Sequence, residues 1–130
     1  MPRAKLVVGL SHIGIRIRDY PRTRSFYEFL GFKHEWGPAG PEQVAAMRHA
    51  SGLELNFIVN AGSNTSNILM DVPEKHPGIT HIALKIDDVA AAEAALIAAG
   101  IEITGRRGSK PVNALFVRDP DRNVIELAAD

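Results

Sequence analysis

Two segments sixty-nine residues apart (His12 to His81) carry nearly the same text, which constrains the chain to fold as two like modules. HIGIRIRD runs from His12 to Asp19 and HIALKIDD from His81 to Asp88. The register holds through the next segment of each copy, since Gly31 and Gly100 are separated by the same interval. Each copy then ends in an apolar run with one embedded acid, GLELNFIV around Glu54 and NVIELAA around Glu126. A duplicated module that supplies one imidazole and one carboxylate per copy is a natural source of four metal ligands. The set His12, Glu54, His81 and Glu126 is therefore the expected metal site.

Alternation of apolar and polar residues marks the strands. Ile13, Ile15 and Ile17 point to one face, and His12, Gly14, Arg16 and Arg18 to the other. Thr80 to Ile86 repeats the pattern, with His81, Ala83 and Lys85 opposite Ile82, Leu84 and Ile86. Asp19 and Asp88 are expected helix N-caps, Pro21 fits a first turn, and Gly31 and Gly100 are expected terminators. The first helix is expected to bury Phe26, Phe29 and Leu30, and the second Val89, Ala92 and Leu96. Strands are expected near 33–36, 44–49, 53–59, 101–104, 114–118 and 124–128, with a short one at 68–72. Ser51-Gly52 and Asp119–Asn123 read as turns, and Trp36 and the helix aromatics as core.

The resulting fold class is α+β: two tandem βαβββ modules forming a curved, cup-shaped mixed sheet with helices on the outer face. The whole of 1–130 reads as one domain, with module 1 at about 8–60, a polar connector at about 61–78 and module 2 at about 79–130. His and Glu lie opposite the helix-packing side of their strands, so their side chains are expected to converge.

Composition narrows the chemistry. The 130 residues contain no cysteine, which excludes disulfides, thiolate ligands and a cysteine nucleophile. Fifteen basic and fifteen acidic residues cancel, so no global field favours nucleic acid or a membrane surface. No apolar run is long enough to span a bilayer, and the N-terminal stretch lacks a signal-peptide cleavage region, so a cytoplasmic protein is expected. Two imidazoles and two carboxylates suit a borderline-to-hard divalent ion such as Zn, Ni, Co, Fe or Mn. His34, His49 and His76 break the repeat register and read as surface residues. The basic segment Gly105–Lys110 reads as a solvated loop that becomes functional only beside an anionic substrate.

The segments SHIGIRIRD, RSFYEFLGF, THIALKI and ALFVRDPDRNVIEL together resemble the vicinal oxygen chelate superfamily over essentially the whole chain. That superfamily includes glyoxalase I, extradiol dioxygenases, methylmalonyl-CoA epimerase and the fosfomycin- and bleomycin-resistance proteins. Arg122 stands where the family's DPDG turn commonly has glycine. The His-Glu-His-Glu set is similar to that of bacterial-type glyoxalase I (lactoylglutathione lyase), whereas the epimerase has Gln on the strand of Glu54. Arg16 matches the family's arginine for the glutathione carboxylate. Ile58 departs from the family's asparagine for the same group, and Asn56 on the same side is a partial substitute.

The resemblance implies a metal-dependent isomerase in which Glu126 removes a carbon-bound proton and the metal stabilises an enediolate. Glu54 would be a ligand and second base. Arg16, Asn56, Arg106, Arg107 and Lys110 would bind substrate. One divalent ion per site is implied (Ni or Zn, or Fe or Mn for a dioxygenase), with glutathione as cosubstrate and a homodimer as the assembly. The alternatives are a dioxygenase or epimerase-type relative acting on another small oxygenated substrate, or a non-catalytic binding protein of the same fold.

Overall fold

The structure is a computed structural model that describes residues 6–63 and 66–130. Residues 1–5, at the start of the N-terminal stretch, and 64 and 65, inside the expected connector, lie outside the described residues. The chain divides into two units, Met1–Ser63 and Asn64–Asp130, each with its own sheet and helix. Unit 1 contains β1 (Ile13–Ile17), α1 (Tyr20–Phe29), β2 (Phe32–Ala39), β3 (Val44–His49) and β4 (Glu54–Val59). Unit 2 contains β5 (His81–Lys85), α2 (Val89–Ala98), β6 (Gly105–Gly108), β7 (Val112–Arg118) and β8 (Val124–Ala128). The α+β class and both βαβββ modules are present as expected. Strand order is β1-β4-β3-β2 in one sheet and β5-β8-β7-β6 in the other. The first strand of each unit runs parallel to the last, and the remaining pairs are antiparallel. No helix among the described residues is long and apolar enough to cross a membrane.

Both helices start and stop where the sequence places them. Asp19 and Asp88 sit in extended backbone and accept hydrogen bonds from the N–H groups of Arg22 and Ala91, three residues on. Gly31 and Gly100 come after the C-caps at φ 105° and 73°, a region that costs glycine little. The buried face of α1 differs from the expected stripe: Tyr20, Thr23 and Tyr27 are buried, Phe26 and Leu30 are intermediate, and Phe29 is 42% exposed. Aromatic packing fixes that phase. The Tyr27 ring lies 5.9 Å from Phe32 and 4.9 Å from Phe57. Trp36, expected in the core, is 45% exposed and sits where β2 shifts register. In unit 2 Leu96 is buried on α2 as the periodicity predicts, whereas Val89 and Ala92, expected beside it, are intermediate.

Two expected strands fall elsewhere. Residues 68–70 form a turn in which Met70 and Asp71 N–H groups bond to the Asn67 carbonyl, so no strand forms at 68–72. Ile101 closes α2 by donating to the Leu96 carbonyl, and pairing with β7 begins only at the end of the expected strand, where Thr104 N–H bonds to the Phe116 carbonyl. The edge strand is Gly105–Gly108 instead, inside the segment expected to be a solvated loop. Glycine and arginine carry little strand propensity, so only its pairing with β7 reveals it.

The two hairpins that lead into β4 and β8 are built alike. His49 N–H bonds to the Leu53 carbonyl and Gly52 N–H to the His49 carbonyl. Asp119 N–H likewise bonds to the Asn123 carbonyl and Arg122 N–H to that of Asp119. Arg48 and Arg118 each donate from Nη1 to the carbonyl of residue 52 or 122, at 3.1 and 3.0 Å. Gly52 has φ 100° and Arg122 φ 65°, so the second hairpin holds an arginine in a backbone region that favours glycine. The side chain of Arg122 offsets that cost by pairing with Asp71 at 2.7 Å, and Arg118 grips the same carboxylate with both of its terminal nitrogens. This clamp ties the connector residue Asp71 to the β7–β8 turn.

Hydrogen bonds from Arg122 and then Arg118 hold the Asp71 carboxyl far below the usual carboxylate range. A depressed folded-state pKa contributes stability above the unfolded value and loses it as pH falls below. Asp71→Asn is therefore expected to lower stability by about 1 kcal/mol at pH 7. In thermal unfolding the gap from wild type should begin to narrow as pH drops below about 4, the unfolded value, and keep narrowing toward the folded one. A gap constant from pH 7 to pH 3 would show that the ionised carboxylate is not what stabilises the turn.

Candidate metal centre

In unit 2, alternation along β5 and β8 places His81 and Glu126 on the face opposite Ile82, Leu84, Ile125 and Leu127. The ladder pairs His81 with Val124 and Ala83 with Glu126. His81 Nε2 lies 3.1 Å from Glu126 Oε1. That is a hydrogen-bonding length, and it also matches the roughly 3 Å that separates two adjacent N and O donors bound at about 2.1 Å to one ion. The other ring nitrogen, Nδ1, is 2.8 Å from Thr80 Oγ1, so the preceding hydroxyl leaves Nε2 facing the carboxylate. Phe116 packs edge-on to the imidazole at 6.1 Å.

Glu126 is only 7% exposed, and its charge is compensated. Arg107, on β6, donates from Nε to Oε2 at 3.0 Å, and its Nη2 lies 3.0 Å from the same oxygen while donating to Asp130 Oδ2 at 2.9 Å. Hydrogen bonds to Asp130 and Glu126 push the guanidinium pKa up. With the Asn113 amide turned so that its oxygen accepts from Arg107 Nη1 (3.1 Å), its nitrogen donates to the Arg107 carbonyl (2.7 Å). Arg107 thus spends its fork on carboxylates of its own chain, a different task from the substrate contact expected of it.

Unit 1 repeats the histidine arrangement. His12, just before β1, is exposed, and its Nδ1 lies 3.0 Å from Ser11 Oγ. The hydroxyls of Ser11 and Thr80 are functional groups that the ligand pattern does not single out, although each precedes its histidine beside the repeated text. The carboxylates do not repeat in the same way. The β1–β4 ladder pairs Ile13 with Leu55, while β5–β8 pairs the matching Ile82 with Ile125. Residues in the two last strands therefore correspond at an interval of seventy (55 to 125), as the hairpins also do. By that register Asn56, not Glu54, is the counterpart of Glu126, and Glu54 corresponds to Val124.

Glu54 faces Arg48 across the β3–β4 ladder and pairs with it, and Arg48 also binds Glu35 at 2.9 Å. Hydrogen bonding to Glu35, with the nearby charge of Glu54 a smaller cause, raises the Arg48 pKa. Asn56 is half-buried, and its Oδ1 has no hydrogen-bond partner among the described residues. A buried carbonyl oxygen without a donor is costly, and a cation or substrate proton would satisfy it.

The expected substrate residues scatter. Arg16 lies on the His12 face of β1, and its Nε donates to Asn60 Oδ1 at 2.9 Å. Arg106 alternates to the opposite face of β6 from Arg107 and pairs with Glu93 of α2 at 2.8 Å. There it borders an open groove with Ile97, Ile101 and Ile103. Lys110 is exposed in the β6–β7 turn. His34, expected at the surface, is half-buried and hydrogen-bonded through Nδ1 to the buried Tyr20, whose hydroxyl pKa is raised by burial. His49 is also half-buried, with Nδ1 2.8 Å from Ser51 Oγ. Within neither unit do three or more His, Asp or Glu side chains gather, among the described residues. Each unit holds at most a two-donor arrangement, and unit 2 brings its pair together.

Solved structures resemble this chain closely in fold. A glyoxalase family protein from Enterococcus faecalis is 25% identical at a TM-score of 0.71, covering 92% of this chain and 96% of that one. A glyoxylase/bleomycin resistance protein/dioxygenase domain from Frankia sp. is 21% identical at 0.72, covering 95% and 92%. A mutant of the fosfomycin resistance protein FosX from Listeria monocytogenes, complexed with Mn(II) and dihydroxypropylphosphonic acid, is 19% identical at 0.73, covering 95% and 93%. At those identities the last two show likeness of fold alone. A search of curated proteins found no match. The model of the Glyoxalase/Bleomycin resistance protein/Dioxygenase superfamily matches residues 9–127. The chain, with its paired βαβββ modules, belongs to that superfamily.

Proposed function

We propose that this protein is a metal-dependent isomerase of the lactoylglutathione-lyase type, a cytoplasmic homodimer that moves a proton at a carbon beside a carbonyl. The observation that carries the reading is the buried Glu126 carboxylate 3.1 Å from His81 Nε2, with the opposite ring nitrogen already partnered. That donor chemistry fits a divalent ion such as Ni, Zn or Mn. His81 and Glu126 are the ligands from unit 2, and His12 is the imidazole from unit 1. The expected fourth ligand is Glu54. The unpartnered Asn56 oxygen, at the Glu126 register, is the other oxygen available on β4.

The ion, when bound, stabilises negative charge developing on substrate oxygens. Glu126 is the base that takes the carbon-bound proton, through Oε1, the oxygen that Arg107 leaves free, and Glu54 is a second carboxylate able to do so. Arg16 and Lys110 are the cations assigned to an anionic end of the substrate, such as a glutathione carboxylate.

A second reading, an epimerase acting on another oxygenated substrate, is favoured by one observation. An amide rather than an acid stands at the β4 position that matches Glu126. Both readings share the proton transfer, and they differ in substrate.

Elemental analysis with a methylglyoxal–glutathione assay tests the proposal. Isomerisation should vanish on chelation and return with Ni or Zn. Oxygen uptake supported by Fe or Mn, or a protein that binds ligand without metal or turnover, would overturn it. Proton exchange at the carbon beside a carbonyl, without hemithioacetal turnover, would move the assignment to the epimerase.

A further inference from the structure

Glu126 is a buried carboxylate whose two oxygens face different partners. Oε1 faces His81 Nε2 at 3.1 Å, and Oε2 accepts from Arg107 Nε, with Nη2 at ion-pair distance. The guanidinium is itself held on its remaining sides, by Asp130 at Nη2 and by Asn113 at Nη1. A planar fork fixed at three points presents its donors in one orientation, which a lysine ammonium does not. The chain has thus built a bracket around the oxygen that points away from the histidine.

We infer that Arg107 is a positioning residue that makes Glu126 a one-oxygen ligand, keeping Oε2 off the ion and a coordination position open for substrate. This rests on the proposed metal site. A carboxylate free to rotate binds a hard divalent ion through one oxygen or through two, and the second oxygen occupies a place that water or substrate oxygen would take. With Oε2 committed to Arg107, only Oε1 is on offer. Asn113 and Asp130 act one step further out, by keeping the guanidinium from following a freed carboxylate. The arrangement also places a fixed positive charge behind the ligand, which weakens its hold on a cation and favours an exchangeable site.

Titration of the purified protein with Mn(II), read by water-proton relaxation, tests this without any turnover. Wild type should bind one ion with two or three fast-exchanging waters. Arg107→Gln should lower the relaxation per bound ion by roughly a third to a half, as Oε2 replaces one water. It should also tighten binding about tenfold, since a repelling charge is gone. Arg107→Lys keeps the charge without the fork and should show the fall in relaxation at near wild-type affinity, and it serves if the Gln variant does not fold. Relaxation per bound ion equal to wild type in the folded variants overturns the inference, whatever happens to thermal stability. Wild-type protein that binds no Mn(II), Ni(II) or Zn(II) overturns the proposed function, and the inference with it.

Discussion

Glu126→Gln should abolish most of the activity while leaving a folded protein. A base positioned on the reacting proton contributes about 10² to 10⁴ in rate. The same substitution removes the negative charge from the ligand beside His81, so metal affinity should fall as well. The fold should survive, because a glutamine oxygen still accepts from Arg107, which keeps Asp130 as a charged partner. Replacing a charge-assisted hydrogen bond with a neutral one at a buried site costs about 1–2 kcal/mol. Turnover of the methylglyoxal–glutathione hemithioacetal, metal content and thermal unfolding together check the expectation. A variant that keeps both metal and full isomerase rate would remove Glu126 from the role of base.

Phe57→Ala should be the most destabilising single substitution in unit 1, by about 3–5 kcal/mol. The side chain is fully buried, with ring centroids 4.9 Å from Tyr27 and 6.2 Å from Tyr20. It also sits between Ala45 and Ile15 in neighbouring strands, so the void would open between sheet and helix. Two ring–ring contacts disappear together with the buried apolar area. For a chain of this size the melting temperature should drop by roughly 10 °C or more. A loss below about 1 kcal/mol in chemical denaturation would mean that α1 settles into the void, and that its phase is not fixed by this cluster.

How far the text of the chain reaches is seen in particular residues. Asp19, Asp88, Gly31 and Gly100 act through their own backbone and the next turn, so the ends of both helices are legible in the sequence. Alternation is equally local, and it assigns the faces of His81 and Glu126 correctly. The phase of α1 is not legible, because Phe26, Phe29 and Tyr27 are all apolar enough to be buried. The partners Phe32 and Phe57 select among them. The strand at Gly105–Gly108 escapes a sequence reading for a related reason: pairing with β7 creates it against weak intrinsic preference.

For the site, the order of residues alone carries the superfamily, the doubled βαβββ plan and the residue types able to hold a cation. Those are encoded in patterns of two to four residues and in their repetition along the chain. Which positions correspond is settled by pairing between strands. LEL around Glu54 and IEL around Glu126 look alike as text, yet strand register sets Asn56 against Glu126, because hydrogen-bond ladders rather than neighbouring letters fix the alignment of strands. Folding also turns Arg107 inward to the Glu126 carboxylate and Arg106 outward to Glu93. Two adjacent arginines are the same chemistry on paper, and the pleat of β6 sends them to opposite faces with different work.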